Sequence, residues 1–173
     1  SFHGEMAVYA FLEHRHIARE IIKQCTNEQI AAAPPYLLEL FASPRDADYR
    51  MLSMLVEKGI SGGDSAVRTL HMLTYEGRNS WIAEELLKKR LWVDPNNYGA
   101  LHACVENGAV NVAKLLLDGG MDFDQYRQRY PESGSPDTVQ ALEEHWQTSQ
   151  GQAQELEQEQ ADAPEMGGGM TLG

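Results

Sequence analysis

The sequence predicts an all-α chain in which short helix pairs stack on one another as a solenoid. Three observations support this: landmarks recur at about 31 residues, apolar residues inside each unit follow helical spacing, and a glycine stands midway through the unit. In the clearest match, Thr69-Leu70-His71 and Gly77 correspond to Ala100-Leu101-His102 and Gly108, both at an offset of 31 residues. One pair of short helices cannot bury its apolar faces alone, so successive pairs are expected to pack together.

The second half of the unit recurs as well. Leu86-Leu87 corresponds to Leu116-Leu117, and Asp94 corresponds to Asp124, each at an offset of 30 residues. A deletion of one residue between the two copies explains the change from 31 to 30. The sequence thus predicts two clear units, over residues 66–94 and 98–124.

Two degenerate units are expected before them, which gives about four in all. The unit at 34–60 keeps the apolar landmarks and ends its second helix at Gly59, where Arg90 and Gly120 end the later ones. The unit at 5–30 is visible only as a helix pattern, with helices expected at Met6–Leu12 and His16–Lys23.

Within each unit we expect a short helix, a tight turn, a longer helix and a polar loop. Gly77 and Gly108 are predicted to occupy the turn, because a reversal there favours a positive φ. The apolar stripe of the second helix comprises Ile82, Leu86 and Leu87 in one unit and Val112, Leu115 and Leu116 in the next. The spacing of these residues places each set on one face of a helix.

The segment 98–124 closely resembles the ankyrin repeat. The T-P-L-H-x-A opening of that family corresponds to Gly99-Ala100-Leu101-His102-Ala103-Cys104, and its L-L-x-x-G-A-D ending to Leu116-Leu117-Asp118-Gly119-Gly120-Met121-Asp122. The unit at 66–94 resembles the family less well, with Arg90 and Leu91 in place of the usual Gly-Ala. The resemblance implies a first domain over residues 1–130 that binds another protein on its concave face.

That concave face would consist of loop tips and the exposed sides of the first helices. By position, the residues expected there are Asp64, Ser65, Val67, Tyr75, Glu76, Pro95, Asn96, Tyr98, Glu106 and Asn107. Two tyrosines beside carboxylates form a suitable contact patch, because aromatic side chains supply area at low entropic cost. The alternative is that these residues are ordinary exposed loop residues.

Residues 125–146 are expected to cap the stack, with the capping helix in 131–146. Pro136-Asp137-Thr138 is a typical helix start, and Val139, Leu142 and Trp146 share one face. The remainder, 147–173, is rich in Gln, Glu, Ala and Gly and cannot bury enough apolar area to offset chain entropy. We therefore expect a disordered acidic tail, with an alternative in which the helix continues to Leu156.

The charge distribution indicates the kind of partner. The net charge is −12, and residues 131–173 contain nine carboxylates and no Lys or Arg. Such a chain gains nothing from counterion release on phosphates, so nucleic acid is not expected as a partner. A protein with a basic surface is expected instead. The chain contains no apolar run long enough for a membrane span.

No catalytic or cofactor motif is found, so we predict no enzyme activity, no cofactor, no metal and no small-molecule substrate. His14 and His16 point in different directions on a helix and do not form a metal site. His71 and His102 occupy equivalent positions, and the resemblance implies that they hold loop backbone by hydrogen bonds. Cys104 is expected to be a small buried thiol in a helix core rather than a nucleophile with His102 as its base.

Three further expectations concern the tryptophans, the cysteines and the start of the chain. Trp81 and Trp92 are expected in the core, with interface positions as the alternative. Two cysteines, Cys25 and Cys104, are too few for a disulfide framework, which favours a reducing compartment, cytoplasmic or nuclear. The chain begins at Ser1 without Met, which agrees with a second interpretation: a non-catalytic regulatory or targeting domain of a larger enzyme.

Overall fold

The computed structural model describes residues 14–164, and this range is helical without any β-strand. The predicted all-α class is confirmed. The helices are α1 (residues 14–24), α2 (Asn27–Ala31), α3 (Leu37–Leu40), α4 (Tyr49–Glu57), α5 (Gly63–Thr74), α6 (Ser80–Lys88), α7 (Tyr98–Glu106), α8 (Val110–Asp118), α9 (Phe123–Arg129) and α10 (Pro136–Asp162), with a 3₁₀ turn at Tyr75–Gly77 between α5 and α6.

From α3 onwards the helices form two layers. In the first layer α3 contacts α5, α5 contacts α7, and α7 contacts α9. In the second layer α4 contacts α6, α6 contacts α8, and α8 contacts α10. Each helix pair therefore packs on the pair before it and the pair after it, and one continuous apolar core runs between the layers.

The second helices end in the same way in successive pairs. Gly59, Arg90 and Gly120 follow α4, α6 and α8 with φ angles of 90°, 72° and 115°. In each case the next residue donates its N–H to a carbonyl five residues back: Ile60 to Leu55 at 3.0 Å, Leu91 to Leu86 at 2.9 Å and Met121 to Leu116 at 3.3 Å. These are Schellman turns, and the two residues joined by each bond are both buried.

The turns inside the pairs also agree with the sequence. Gly77 has φ 72° and Gly108 has φ 66°, so the predicted positive φ is confirmed at both. Glu76 has φ 56° as well, which places two consecutive left-handed residues between α5 and α6. Asn79 follows this turn and donates from Nδ2 to the Pro44 carbonyl at 2.9 Å, which joins the turn to the preceding pair.

The N-terminal half confirms one predicted helix. Helix α1 covers the expected His16–Lys23 segment, whereas the expected Met6–Leu12 helix lies outside the described residues. The buried Arg15 forms an ion pair with Asp46 and lies over the Phe41 ring at 5.5 Å. This contact attaches α1 to the loop between α3 and α4.

The C-terminal end differs from the expectation in two ways. A further helix, α9, packs on α7, so the cap is a helix pair rather than one helix. Helix α10 starts at Pro136 as predicted, with Ser135 as N-cap accepting from the Thr138 N–H. It then continues to Asp162, so the expected disorder is wrong for residues 147–162, and residues 165–173 lie outside the described range.

The expected core positions of two tryptophans are wrong. Trp81 is 51% exposed and Trp92 is 58% exposed. Trp81 stands at the start of α6, where its ring lies against Tyr49 with 5.1 Å between the ring centroids. Trp92 follows the turn at Arg90 and lies outside the core. By contrast, Cys104 is fully buried, as predicted.

Candidate functional site

The first-helix layer contains an open groove across α5 and α7. Its volume is about 390 Å³. The residues that line it come from three successive helices of the layer: Glu39, Val67, Arg68, His71, Met72, Gly99 and Ala103. The groove therefore spans three successive helix pairs, and no single pair could form it.

The floor of the groove is apolar and is formed by residues of α5 and α7. Val67 and Met72 are half-buried and pack against the core from the α5 side. Gly99 and Ala103 lie four residues apart and thus on one face of α7. A methyl group at Gly99 would lie 3.1 Å from Oδ1 of Asn97 and 3.9 Å from Cγ1 of Val67, so the absence of a side chain there leaves space beside Val67.

One rim of the groove is held by a hydrogen-bonded ion pair. Arg68 donates from Nε to Oε1 of Glu39 at 2.7 Å, and the buried Ser65 hydroxyl donates to Oε2 at 2.8 Å. The hydrogen bond from Arg68 lowers the pKa of Glu39 below its ordinary value, and burial opposes this only in part. The charged side chains of Glu39 and Arg68 are therefore held in one orientation.

His71, whose residue is exposed, lines the groove about one helical turn after Arg68 on α5. Its side chain makes no hydrogen bond to another residue of the described range, so the implied role in holding loop backbone is wrong for His71. The backbone carbonyl of His71 and the Thr74 hydroxyl instead accept from Nδ2 of Asn107, at 3.4 and 3.0 Å. The imidazole is thus available at the edge of the groove.

A second, polar cavity lies at the turn after α5. It has a volume of about 470 Å³ and is lined by Ser43, Pro44, Arg45, Tyr75, Glu76 and Arg78. Tyr75 is 48% exposed there. Two arginines and one carboxylate make this end of the first-helix layer basic, in contrast to the acidic charge of the whole chain.

The ten residues expected on the concave face do not form one patch. Val67 alone lines the groove, and Tyr75 and Glu76 line the polar cavity. Asp64 and Asn96 are exposed at the start of α5 and in the loop before α7, while Pro95 lines a third, apolar cavity of about 270 Å³ together with Trp92. Asp64 and Tyr75 alone lie at opposite ends of α5, which has 12 residues and is about 18 Å long.

Two of the ten are corrections, because they are buried. Ser65 is 4% exposed and holds Glu39. Tyr98 is 5% exposed: its hydroxyl donates to Oε1 of Gln125 at 3.4 Å, and the Arg129 guanidinium lies 4.7 Å from its ring centroid. Tyr98 therefore holds α9 against α7 and is not an exposed contact residue.

Glu106 and Asn107 make hydrogen bonds within the fold. Oε1 of Glu106 accepts from the Ser133 hydroxyl at 2.8 Å and from the Gly134 N–H at 3.2 Å. The bond from Ser133 is the first cause that lowers the pKa of Glu106. Asn107 holds the end of α5, as described above. Glu106 thus joins α7 to the loop before α10, Asn107 joins α7 to the end of α5, and neither lines the groove.

His102 belongs to this polar network. Its Nδ1 lies 3.2 Å from the Ser133 hydroxyl, and its ring stacks on Tyr130 with 4.1 Å between centroids. In a hydrolase triad the carboxylate orients the imidazole; here Glu106 binds the serine hydroxyl itself, and the Tyr126 hydroxyl lies 2.6 Å from the same oxygen. The arrangement fixes the loop before α10 and lacks the geometry of an activated nucleophile.

The Cys104 thiol is fully buried inside α7. Burial raises the pKa of the Cys104 thiol to about 12, so it stays protonated and unreactive at neutral pH. Within residues 14–164 no three His, Cys, Asp or Glu side chains are grouped so as to hold a metal ion. No helix in this range has the length and apolar character needed to cross a bilayer.

Sequence reasoning missed most of the groove. Glu39, Arg68, Met72 and Ala103 were not among the expected contact residues, and Gly99 entered only through the repeat resemblance. One signal was present: Gly99 and Ala103 are small residues at a spacing of four on a first helix, which favours close approach or an open surface. Comparison of the chain with protein-family models, with curated proteins and with solved structures gives no match.

Proposed function

We propose that this chain is a non-catalytic protein-interaction module that holds a segment of a partner protein in the groove of α5 and α7. The proposal includes an ankyrin-type stack as the scaffold. It is supported by the two helix layers, by the recurring turns at Gly59, Arg90 and Gly120, and by the repeat-like sequence at 98–124.

The observation that carries the proposal is the apolar floor beside the charged rim of Glu39 and Arg68. Val67, Met72 and Ala103 remain partly exposed where a closed core would cover them. A volume of about 390 Å³ that is open to solvent suits side chains projecting from a partner chain. Apolar floor and polar rim is the usual arrangement of a protein interface.

A basic partner segment suits the groove as well. The hydrogen bond that Arg68 donates to Glu39 raises the pKa of the guanidinium, and the nearby Asp64 carboxylate adds to this. Arg68 is thus matched by two carboxylates, which leaves a surplus of negative charge on this rim. The net charge of −12 adds a long-range attraction for a basic partner.

The test is a pair of variants that add the same charge to opposite layers. Ala103→Arg fills the groove with a long side chain, whereas Asn111→Arg adds one cation to the exposed side of α8. The wild-type chain and both variants are used as bait, and bound proteins are compared by quantitative mass spectrometry. Thermal unfolding of each bait confirms that it is folded.

The expected result is that specific partners of the wild-type chain are kept by Asn111→Arg and lost by Ala103→Arg. A reciprocal measurement with the most enriched partner then gives the affinity, and we expect a loss of about tenfold or more in the groove variant. If both folded variants retain the same partners at equal affinity, the groove is not the binding site.

A further inference from the structure

Helix α10 extends beyond the body of the fold. It has 27 residues, whereas its main neighbour, α8, has nine. The contacts of α10 with the body involve its first part: Val139, Leu142 and Trp146 pack on the core, and Nε2 of His145 lies 2.7 Å from Oδ1 of Asp118. Residues 147–162, here called the overhang, are exposed except for the half-buried Ser149.

The packed face of α10 continues along the overhang. Leu142 and Trp146 are followed, at alternating spacings of three and four residues, by Ser149, Ala153, Leu156 and Gln160. This is the spacing of a coiled-coil seam, in which every such position faces the same neighbour. In the body the neighbours are α8 and α9, but Leu156 has none and is 59% exposed.

The overhang is electrostatically unfavourable as a free helix. It contains Glu155, Glu157, Glu159 and Asp162 and no Lys, Arg or His. Glu155 and Glu159 are four residues apart and repel each other, and the carboxylates nearest the C-terminal end oppose the helix dipole. A helix of this kind gains stability when a partner covers its apolar positions and supplies opposite charges.

The charges also determine which partner fits. Glu157 and Glu159 flank the seam on its two sides, at the positions that face a partner helix in a coiled coil. A second copy of the overhang would place carboxylates against carboxylates in either orientation, since the segment has no cation. A helix with an apolar seam flanked by Lys or Arg would place opposite charges there.

We propose that the overhang docks a basic amphipathic helix along the seam of Ser149, Ala153 and Leu156. The docked helix lies on the face of the overhang that continues the face of α10 packed against α8 and α9. This surface is separate from the groove of α5 and α7, and it is supported by a different observation.

The test uses the full chain and a labelled synthetic peptide of three heptads, with Leu at its seam positions and Lys at the flanking positions. A second peptide with Glu in place of Lys is the matched ligand control. Leu156→Glu removes the exposed leucine from the seam. Gln158→Glu adds the same charge on the opposite face of the same helix turn. Binding is followed by fluorescence anisotropy.

We expect the basic peptide to bind the wild-type chain and the Gln158→Glu variant with affinities within about twofold, and the Leu156→Glu variant about tenfold more weakly. Affinity should fall when salt is raised from about 0.05 to 0.5 M, because exposed charges are then screened. Ala103→Arg in the groove should leave this binding unchanged.

Three results would overturn the proposal. The first is no binding of the basic peptide, or equal binding to Leu156→Glu and wild type. The second is equal binding of the acidic peptide. The third is concentration-dependent dimerisation of the full chain in sedimentation experiments that Leu156→Glu abolishes, because the seam would then take a second copy of this chain.

Discussion

The Ser133 hydroxyl donates a 2.8 Å hydrogen bond to Oε1 of Glu106, and this contact joins the loop before α10 to the end of α7. Ser133 is 5% exposed, and its oxygen also lies 2.6 Å from the Tyr126 hydroxyl. One serine thus connects the last helix pair to the pair that supplies Gly99 and Ala103 of the groove. The position of α9 and α10 depends on this small network.

Replacing Ser133 by Ala should lower the free energy of unfolding by about 1–2 kcal/mol, because Glu106 and Tyr126 both lose a partner. Urea denaturation at pH 7 measures the change. Glu132→Ala, one residue away and exposed, is the control and should change stability by less than about 0.5 kcal/mol. Equal stability of wild type and Ser133→Ala would mean that the network contributes nothing.

The free energy of unfolding should fall in acid because Glu106 becomes protonated. Its pKa is lowered in the folded chain, first by the hydrogen bond from Ser133, so the unfolded chain binds more protons as the pH falls below the ordinary value of 4.5. The contribution is present above pH 4.5 and is lost as the pH falls through the folded pKa. Unfolding free energies between pH 6 and pH 3 should therefore decline less steeply for Glu106→Gln than for wild type.

The folded protein should be more stable with glycine than with arginine at position 90. It has φ 72° at the position where Gly59 and Gly120 end the neighbouring helices, and a side chain in this region is strained. Arg90→Gly should raise the free energy of unfolding by about 1 kcal/mol. Gly120→Ala is the converse change and should lower it by about 1–2 kcal/mol; a methyl group there would lie 3.8 Å from Pro95 Cβ, an ordinary contact, so the cost is conformational.

The fluorescence of the folded chain should be dominated by exposed tryptophan. Trp81 and Trp92 are more than half exposed, whereas Trp146 packs against the core. We expect acrylamide to quench most of the emission of the native protein, and Trp146→Phe to leave a spectrum close to that of the urea-unfolded chain. A Trp81→Phe, Trp92→Phe double variant should emit at shorter wavelength. Poor quenching of the wild-type chain would contradict the exposed positions.

The turns were the most predictable part of the fold. Gly77 and Gly108 were expected to adopt a positive φ, and Arg90 was expected to end its helix where Gly59 and Gly120 end theirs. Such positions are predictable because the backbone conformation depends on the local chain, and few residues tolerate it. The landmarks Leu86 and Leu116 are buried for the same local reason, namely helical spacing.

The contact residues were less predictable, because exposure depends on the neighbouring pair. Tyr98 begins α7 and was expected to be exposed, but α9 covers it. The existence of α9 was not foreseen, since its segment has only Phe123 and Tyr126 as buried residues. The groove floor at Met72 and Ala103 likewise appears only when α5 and α7 lie side by side.

The overhang shows why composition misjudged the tail. Disorder was expected because residues 147–162 cannot bury enough apolar area to offset the loss of chain entropy. A helix that continues from a docked segment needs no new nucleus, and Gln, Glu and Ala are favourable residues for propagation. The packing of Leu142 and Trp146 already stabilises the first part of α10. The helix can therefore extend through residues 147–162 although these bury little apolar area.

The arrangement of pairs that contact chiefly their neighbours has a mechanical consequence. When the chain is stretched from its ends, an outer pair can be pulled away while the inner ones keep their packing. Each event would release about 31 residues, or roughly 100 Å of extended polypeptide. Optical-tweezer traces should therefore show several steps of similar size. The chain would lengthen under tension one helix pair at a time.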